Sequence, residues 1–289
     1  MRGRIWIGLA TAIVLVAVIV TFSGGSGGGG LNPVAQAAEA TTQTDGAHVA
    51  LSGSVSISGF ATPITITGQG AFSFKANEGE LEMSMAGFPS SVTARLSGSD
   101  LEMHEIYKAG SLYIGSSLLA GSLPTGAKWM RLDIAQVQQA IGLDPSSLMS
   151  GGTDPTALLR YLKASGGSRL VSHELVRGVP TAHYTGTIDL LKAAESQPSS
   201  DPAKLRAAFS KLIAQSGLRN LPVSVWIDSH GLVRKMSLTM SAGLGAQRSD
   251  VALSIEYFDF GATPSIVAPP ASEVFDATGQ TLQSITPGG

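Results

Sequence analysis

The chain has 289 residues, 14% of them charged, with a formal net charge of −2 and no cysteine. That balance leaves no electrostatic reason to expect nucleic acid or an anionic membrane surface as partner. The missing thiols exclude disulfides, thiolate metal sites, cysteine nucleophiles and lipid attached to an N-terminal cysteine.

Residues 1–22 read as a membrane anchor or signal segment. Met1-Arg2-Gly3-Arg4 is basic, and Ile5 to Phe22 then runs for eighteen residues without a charge. At about 1.5 Å per residue such a helix spans about 27 Å, close to the thickness of a bilayer core. The arginines place its start in the cytoplasm and the remainder outside. Residues 23–31 are a Gly/Ser linker. Ala35-Gln36-Ala37 fits a signal-peptidase site, but it falls inside a helix expected from Asn32 as cap and Pro33 at the first position. An uncleaved anchor is therefore preferred, which puts the domain at the outer face of the membrane; cleavage would make it secreted. Gly24-Gly25-Ser26-Gly27-Gly28 matches the nucleophile-elbow pattern, but neither a strand nor a helix flanks it, and it carries no chemistry.

Residues 32–276 are expected to form one domain. Val49, Leu51, Val55 and Ile57 alternate with small polar residues, as a strand with one apolar face does. Ile64 to Phe74, Leu81 to Met85 and Val92 to Leu96 repeat the pattern. Met103 to Lys108, a turn at Ala109-Gly110, Ser111 to Gly115 and Lys128 to Leu132 continue an antiparallel meander. Asp133 then caps a helix with Ile134, Val137 and Ile141 on one face, and Asp154-Pro155 opens another with Leu158 and Leu162. Arg169–Arg177 and Val179–Thr187 are two more strands. Asp189 starts a short helix, and Asp201-Pro202 a longer one carrying Leu205, Phe209, Leu212 and Ile213. A hairpin through Asp228-Ser229-His230-Gly231 and a strand at Val251–Tyr257 follow. Residues 268–275 read as a tie-down and 277–289 as a polar tail.

The order of these elements resembles the bacterial lipoprotein-carrier (LolA-like) superfamily, and more closely the LppX/LprG-type lipoproteins of actinobacteria. MHEIYKAGSLYIG, GAKWMRLDI, HELVRGVPTAHYTGTIDL, VWIDSHGLVRKM and YFDFGATPSIVAPPASEV carry the likeness. It implies an α+β fold: a strongly curved, incompletely closed antiparallel sheet, or half-barrel, with helices on its concave side. It also implies a non-catalytic protein that binds lipid between sheet and helices. The chain departs from that pattern at Ser23, which stands where such lipoproteins carry the lipobox cysteine.

Little in the chain suggests a reaction. His104-Glu105 and His173-Glu174 lie in strands, where adjacent residues face opposite ways. No spacing brings them or His183 together as metal ligands, so surface or cross-strand pairing is expected, and no cofactor or metal. Met83, Met85, Met103, Met130, Met236 and Met240 fall mostly on apolar strand faces. Methionine adapts to irregular partners, so these residues either fill a core or line a cavity for an apolar ligand. In the second case Tyr113 and Trp129 join them, and Leu158, Leu162, Phe209 and Leu212 supply the opposite wall. The two functional readings are lipid carriage or retention, and a regulatory or protein-interaction module with a filled core.

Overall fold

A computed structural model describes residues 33–90, 100–117, 119, 123–140, 167–195, 201–244 and 247–285. Twelve strands form one sheet that is not closed into a barrel. They are β1 (Gly46–Ile57), β2 (Ile64–Ser73), β3 (Glu78–Ala86), β4 (Leu101–Lys108), β5 (Ser111–Ser116), β6 (Trp129–Asp133), β7 (Ser168–Val176), β8 (Val179–Asp189), β9 (Asn220–Asp228), β10 (Val233–Leu244), β11 (Gln247–Phe258) and β12 (Val274–Asp276). The spatial order is β12-β6-β5-β4-β3-β2-β1-β11-β10-β9-β8-β7. Each half is a run of hairpins, and the halves join where β1 pairs antiparallel with β11, from His48↔Phe258 to Ile57↔Ser249. Among the described strands only β12 is parallel to its neighbour, β6.

The turns explain why consecutive strands pair. Between β4 and β5, Ala109 and Gly110 have φ of 49° and 74°. Two left-handed residues in succession form the tight turn whose twist matches antiparallel strands. Between β9 and β10, the Asp228 carboxylate accepts from the backbone N–H groups of His230 and Leu232 at 2.9 and 3.0 Å. It also takes the Arg234 Nε–H at 2.6 Å. The expected strand at Val92–Leu96 lies outside the described residues, and β3 pairs directly with β4.

Five helices are described: α1 (Pro33–Thr42), α2 (Ile134–Ala140), α3 (Leu190–Glu195), α4 (Pro202–Ser216) and α5 (Thr278–Ile285). Three of their starts follow aspartates. Asp133 accepts from Gln136 N, Asp189 from Leu191 N, and Asp201 from Lys204 N. Gly217, in left-handed geometry at φ 70°, ends α4 by donating to Ile213 O at 2.8 Å. Within the segment read as a polar tail, Thr278–Ile285 form α5; Thr278 is buried and its hydroxyl accepts from Asp133 N at 2.9 Å.

One face of the sheet is apolar and buried, and helix α1 packs against it. Val34, Ala37 and Ala38 of α1 belong to the same cluster as Val49, Leu81, Leu101, Val225 and Ile255. The fully buried Thr41 hydroxyl accepts from Val233 N at 2.8 Å and donates to Ala37 O at 2.7 Å. Helix α4 meets β10 and packs chiefly on α3, where Leu205, Ala194 and Phe209 make a separate small cluster.

Candidate functional site

The pleat sorts side chains between the two faces. On β3 the inner, buried face carries Gly79, Leu81, Met83 and Met85, while Glu78, Glu80 and Glu82 point outward. On β4 the same face carries Leu101, Met103, Glu105 and Tyr107. Across the next two strands it continues through Leu112, Ile114, Met130 and Leu132. On β10 it carries Met236, Leu238 and Met240, opposite Val225, Ile255 and Val251.

The predicted site residues divide accordingly. Met83, Met85, Met103, Met236 and Met240 are buried on the inner face, and Met130 packs against the same cluster half-buried. Met83 faces Met103 directly across the β3–β4 ladder. Tyr113 and Trp129 do not join them. Register pairs Tyr113 with Ile106 and Arg131, and Trp129 with Gly115, all on the outer face. There Trp129 covers Gly115 and meets the His104 ring edge-on, with ring centres 5.1 Å apart. Phe209 and Leu212 do not form a wall opposite the methionines. Phe209 packs against Leu205 and Ala194, where α4 meets α3, and Leu212 is 40% exposed. Leu158 and Leu162 lie outside the described residues.

Over β1–β3 the inner face is closely packed by its own side chains. A Cβ on Gly68 would stand 2.9 Å from Met83 Cγ, and one on Gly79 would collide with the Phe72 ring. These glycines make room for neighbouring large residues. At the far edge the face emerges into solvent. Leu170 pairs with the inner-face Tyr184, and Leu175 with Pro180; their exposures are 50% and 70%. A hollow of about 550 Å³ lies on the opposite side of the sheet, lined by outer-face Arg169, Thr185, Ser224, Ser237 and Thr239. It is hydroxyl-rich and is not the apolar space expected between sheet and helices.

One residue on the inner face stands outside the set expected from the sequence. Glu105 is 4% exposed, between Leu81 on β3 and Ile114 on β5. Its Oε1 is buried without a hydrogen-bond partner. Burial pushes its carboxyl up to about 8. Tyr107 on the same face is also raised by burial, an effect opposed by its hydrogen bond with Asn77. The signal is present in the sequence: Leu101, Met103, Glu105 and Tyr107 share parity, so Glu105 has to face where the apolar residues face.

The outer-face carboxylate of Glu174, by contrast, is paired. Glu174 accepts from the Trp226 indole at 2.9 Å and from the Ser172 hydroxyl at 2.6 Å, and meets His183 Nδ1 at 3.0 Å. The Ser172 hydroxyl, then the indole, hold Glu174 down at about 2. His183 stacks on Trp226, with ring centres 4.1 Å apart. Ser172, His183 and Glu174 are the residue types of a hydrolytic triad, but not its geometry. Serine and glutamate both meet Nδ1, whereas a relay needs them on opposite ring nitrogens. The arrangement is a cross-strand pairing of His183 with Glu174 on the neighbouring strand. Among the described residues no group of three or more His, Asp or Glu is placed to hold a metal.

No family model matches the chain. It is similar to LprF and LppX in structure. The crystal structure of LprF from Mycobacterium bovis matches at 13% identity and TM-score 0.39, covering 82% of this chain and 95% of that one. The Mycobacterium tuberculosis lipoprotein LppX matches at 13% identity and TM-score 0.39, covering 81% and 96%. At such values the likeness concerns the course of the fold. In sequence the chain is 27% identical over 201 residues to an uncharacterized 31.2 kDa protein of the rplA-rplJ intergenic region in Streptomyces griseus. The match covers 68% of this chain and 64% of that relative's length.

Proposed function

We propose that this chain is a non-catalytic protein of the cell envelope that binds an apolar ligand, a lipid or lipid-like molecule, on the inner face of its sheet. It holds or delivers that ligand at the outer side of the membrane, tethered by the apolar segment of residues 5–22. The observation that carries this reading is the exposed end of the inner face. The sheet is open, and its apolar face runs from a buried interior to solvent at Leu170 and Leu175 on edge strand β7. An apolar chain can follow such a path past His173, which register also puts on that face. Each methylene kept from water is worth about 0.8 kcal/mol, so ten methylenes hold a bound lipid against release into water by about 8 kcal/mol before the costs of ordering.

A second reading has its own support. Met83 over Gly68 and Phe72 over Gly79 fill the inner face over β1–β3, as in a module whose core is complete and whose work is to contact another protein. Native mass spectrometry of the protein purified without detergent decides between them. A co-purifying lipid, or uptake of one from phosphatidylcholine vesicles, is expected. A clean apo mass with no uptake overturns the carrier reading and leaves the module.

A further inference from the structure

Glu105 sits where a stable sheet has least use for it. Leu81 and Ile114 flank it across the ladders, and Met103 and Tyr107 share its face along β4. It is buried, and among the described residues its Oε1 has no partner and no ion pair reaches it. An unsatisfied buried polar group is costly, and a leucine at this position would bury as well without that cost.

We propose that Glu105 is the polar anchor of the ligand site, and that the ligand is a neutral lipid carrying a hydroxyl or carbonyl oxygen that meets this carboxyl inside the fold. The inference rests on the lipid-binding reading above and says which lipids that site prefers. A lipid drawn from a bilayer is already out of water, so burying its chains in the protein gains little over leaving them there. Selection among lipids then falls to polar contacts. A hydroxyl leaving the hydrated headgroup layer loses its hydrogen bonds, and Glu105 restores one within an apolar surround. A pure hydrocarbon neither suffers that loss nor gains that contact.

The test uses the full chain with phosphatidylcholine vesicles containing dioleoylglycerol and squalene at equal mole fraction. After the vesicles are pelleted, lipid bound to the protein is extracted and quantified. Wild type is expected to favour dioleoylglycerol. Glu105→Leu should lower the dioleoylglycerol-to-squalene ratio about tenfold, the equivalent of one net hydrogen bond, while squalene uptake is kept. Glu105→Gln, which retains hydrogen-bonding capacity, should keep the wild-type preference. Circular dichroism establishes that each variant is folded. An unchanged ratio in Glu105→Leu, or equal loss in Glu105→Gln, overturns the anchor and leaves lipid binding standing. Recovery of neither probe with wild type defeats the lipid-binding reading, and this inference with it.

Discussion

Replacing Glu105 by glutamine should flatten the dependence of stability on pH between about 5 and 8. In the folded protein the carboxyl is pushed from 4.5 to about 8 by burial. Below pH 4.5 the group is protonated in both states and contributes no penalty. As pH rises, the unfolded chain ionises first and gains free energy that the folded chain does not. Stability therefore falls through this window and levels off above the folded value. At about 1.4 kcal/mol per unit, the full difference is on the order of 5 kcal/mol, and relaxation or water penetration would reduce it to roughly 2–4 kcal/mol. That is a large fraction of the 5–15 kcal/mol typical of a domain. Urea denaturation at half-unit pH steps, on delipidated wild type and Glu105→Gln, measures it. Contributions of the five histidines are common to both proteins. The outer-face carboxyls Glu174, Asp189 and Asp276 are shifted down, so their stabilisation is lost only as pH falls below the ordinary carboxylate range. If the two curves run parallel within about 0.5 kcal/mol across the window, the folded carboxyl is hydrated or paired and the reasoning fails.

Other outcomes follow from the same geometry. Thr41→Val leaves Val233 N–H buried without an acceptor and should cost about 1–3 kcal/mol in urea denaturation; no loss would mean that α1 is not docked against β10. Asp228→Ala removes a fully buried carboxylate from two backbone donors and from Arg234, and should cost about 3–5 kcal/mol by the same measurement. The double substitution Leu170→Ser with Leu175→Ser should leave stability within about 0.5 kcal/mol, since both side chains are half or more exposed. It should nonetheless slow lipid uptake from vesicles severalfold, and unchanged uptake would remove β7 as the way in.

Local chemistry makes most elements legible in the sequence. Eleven of the twelve strands are read from the sequence, β1 to β3 by alternation, because one face is buried and the other solvated, and aspartate caps mark three helix starts. The features that escape such a reading depend on partners distant in sequence. β1 lies beside β11, about two hundred residues away, and nothing local encodes that choice. The three residues of β12 gain strand character only from β6. Helix α5 has few apolar residues, and its start is set by Asp276 accepting from Thr278 N and by Thr278 meeting Asp133 N. Spacing assigns Leu212 to a cavity wall, but spacing does not say which neighbour an apolar stripe will meet. Bulk rather than parity assigns Tyr113 and Trp129 to the same cavity. Counting alternate positions from Leu112 and Ile114 puts Tyr113 on the outer face, and the same count from Met103 puts Glu105 inside.

The two faces of the sheet bear on the choice between carrier and module. The outer face carries ion pairs: Lys108 with Glu78, Arg177 with Glu256, Arg131 with Asp276. A row of hydroxyls from Thr185 through Ser224, Ser237, Ser254, Ser52 and Thr67 to Ser84 crosses it. That surface is well suited to water. The inner face is closely filled over β1–β3, where glycines receive Met83 and Phe72. Its unmatched acid, Glu105, lies one strand further on, facing β5. A completed core explains the first observation and leaves the second as a cost without return. Under the proposed lipid binding, a ligand oxygen reaching the inner face at β4–β5 would give Glu105 the partner it lacks, and that contact is what the dioleoylglycerol and squalene comparison reads.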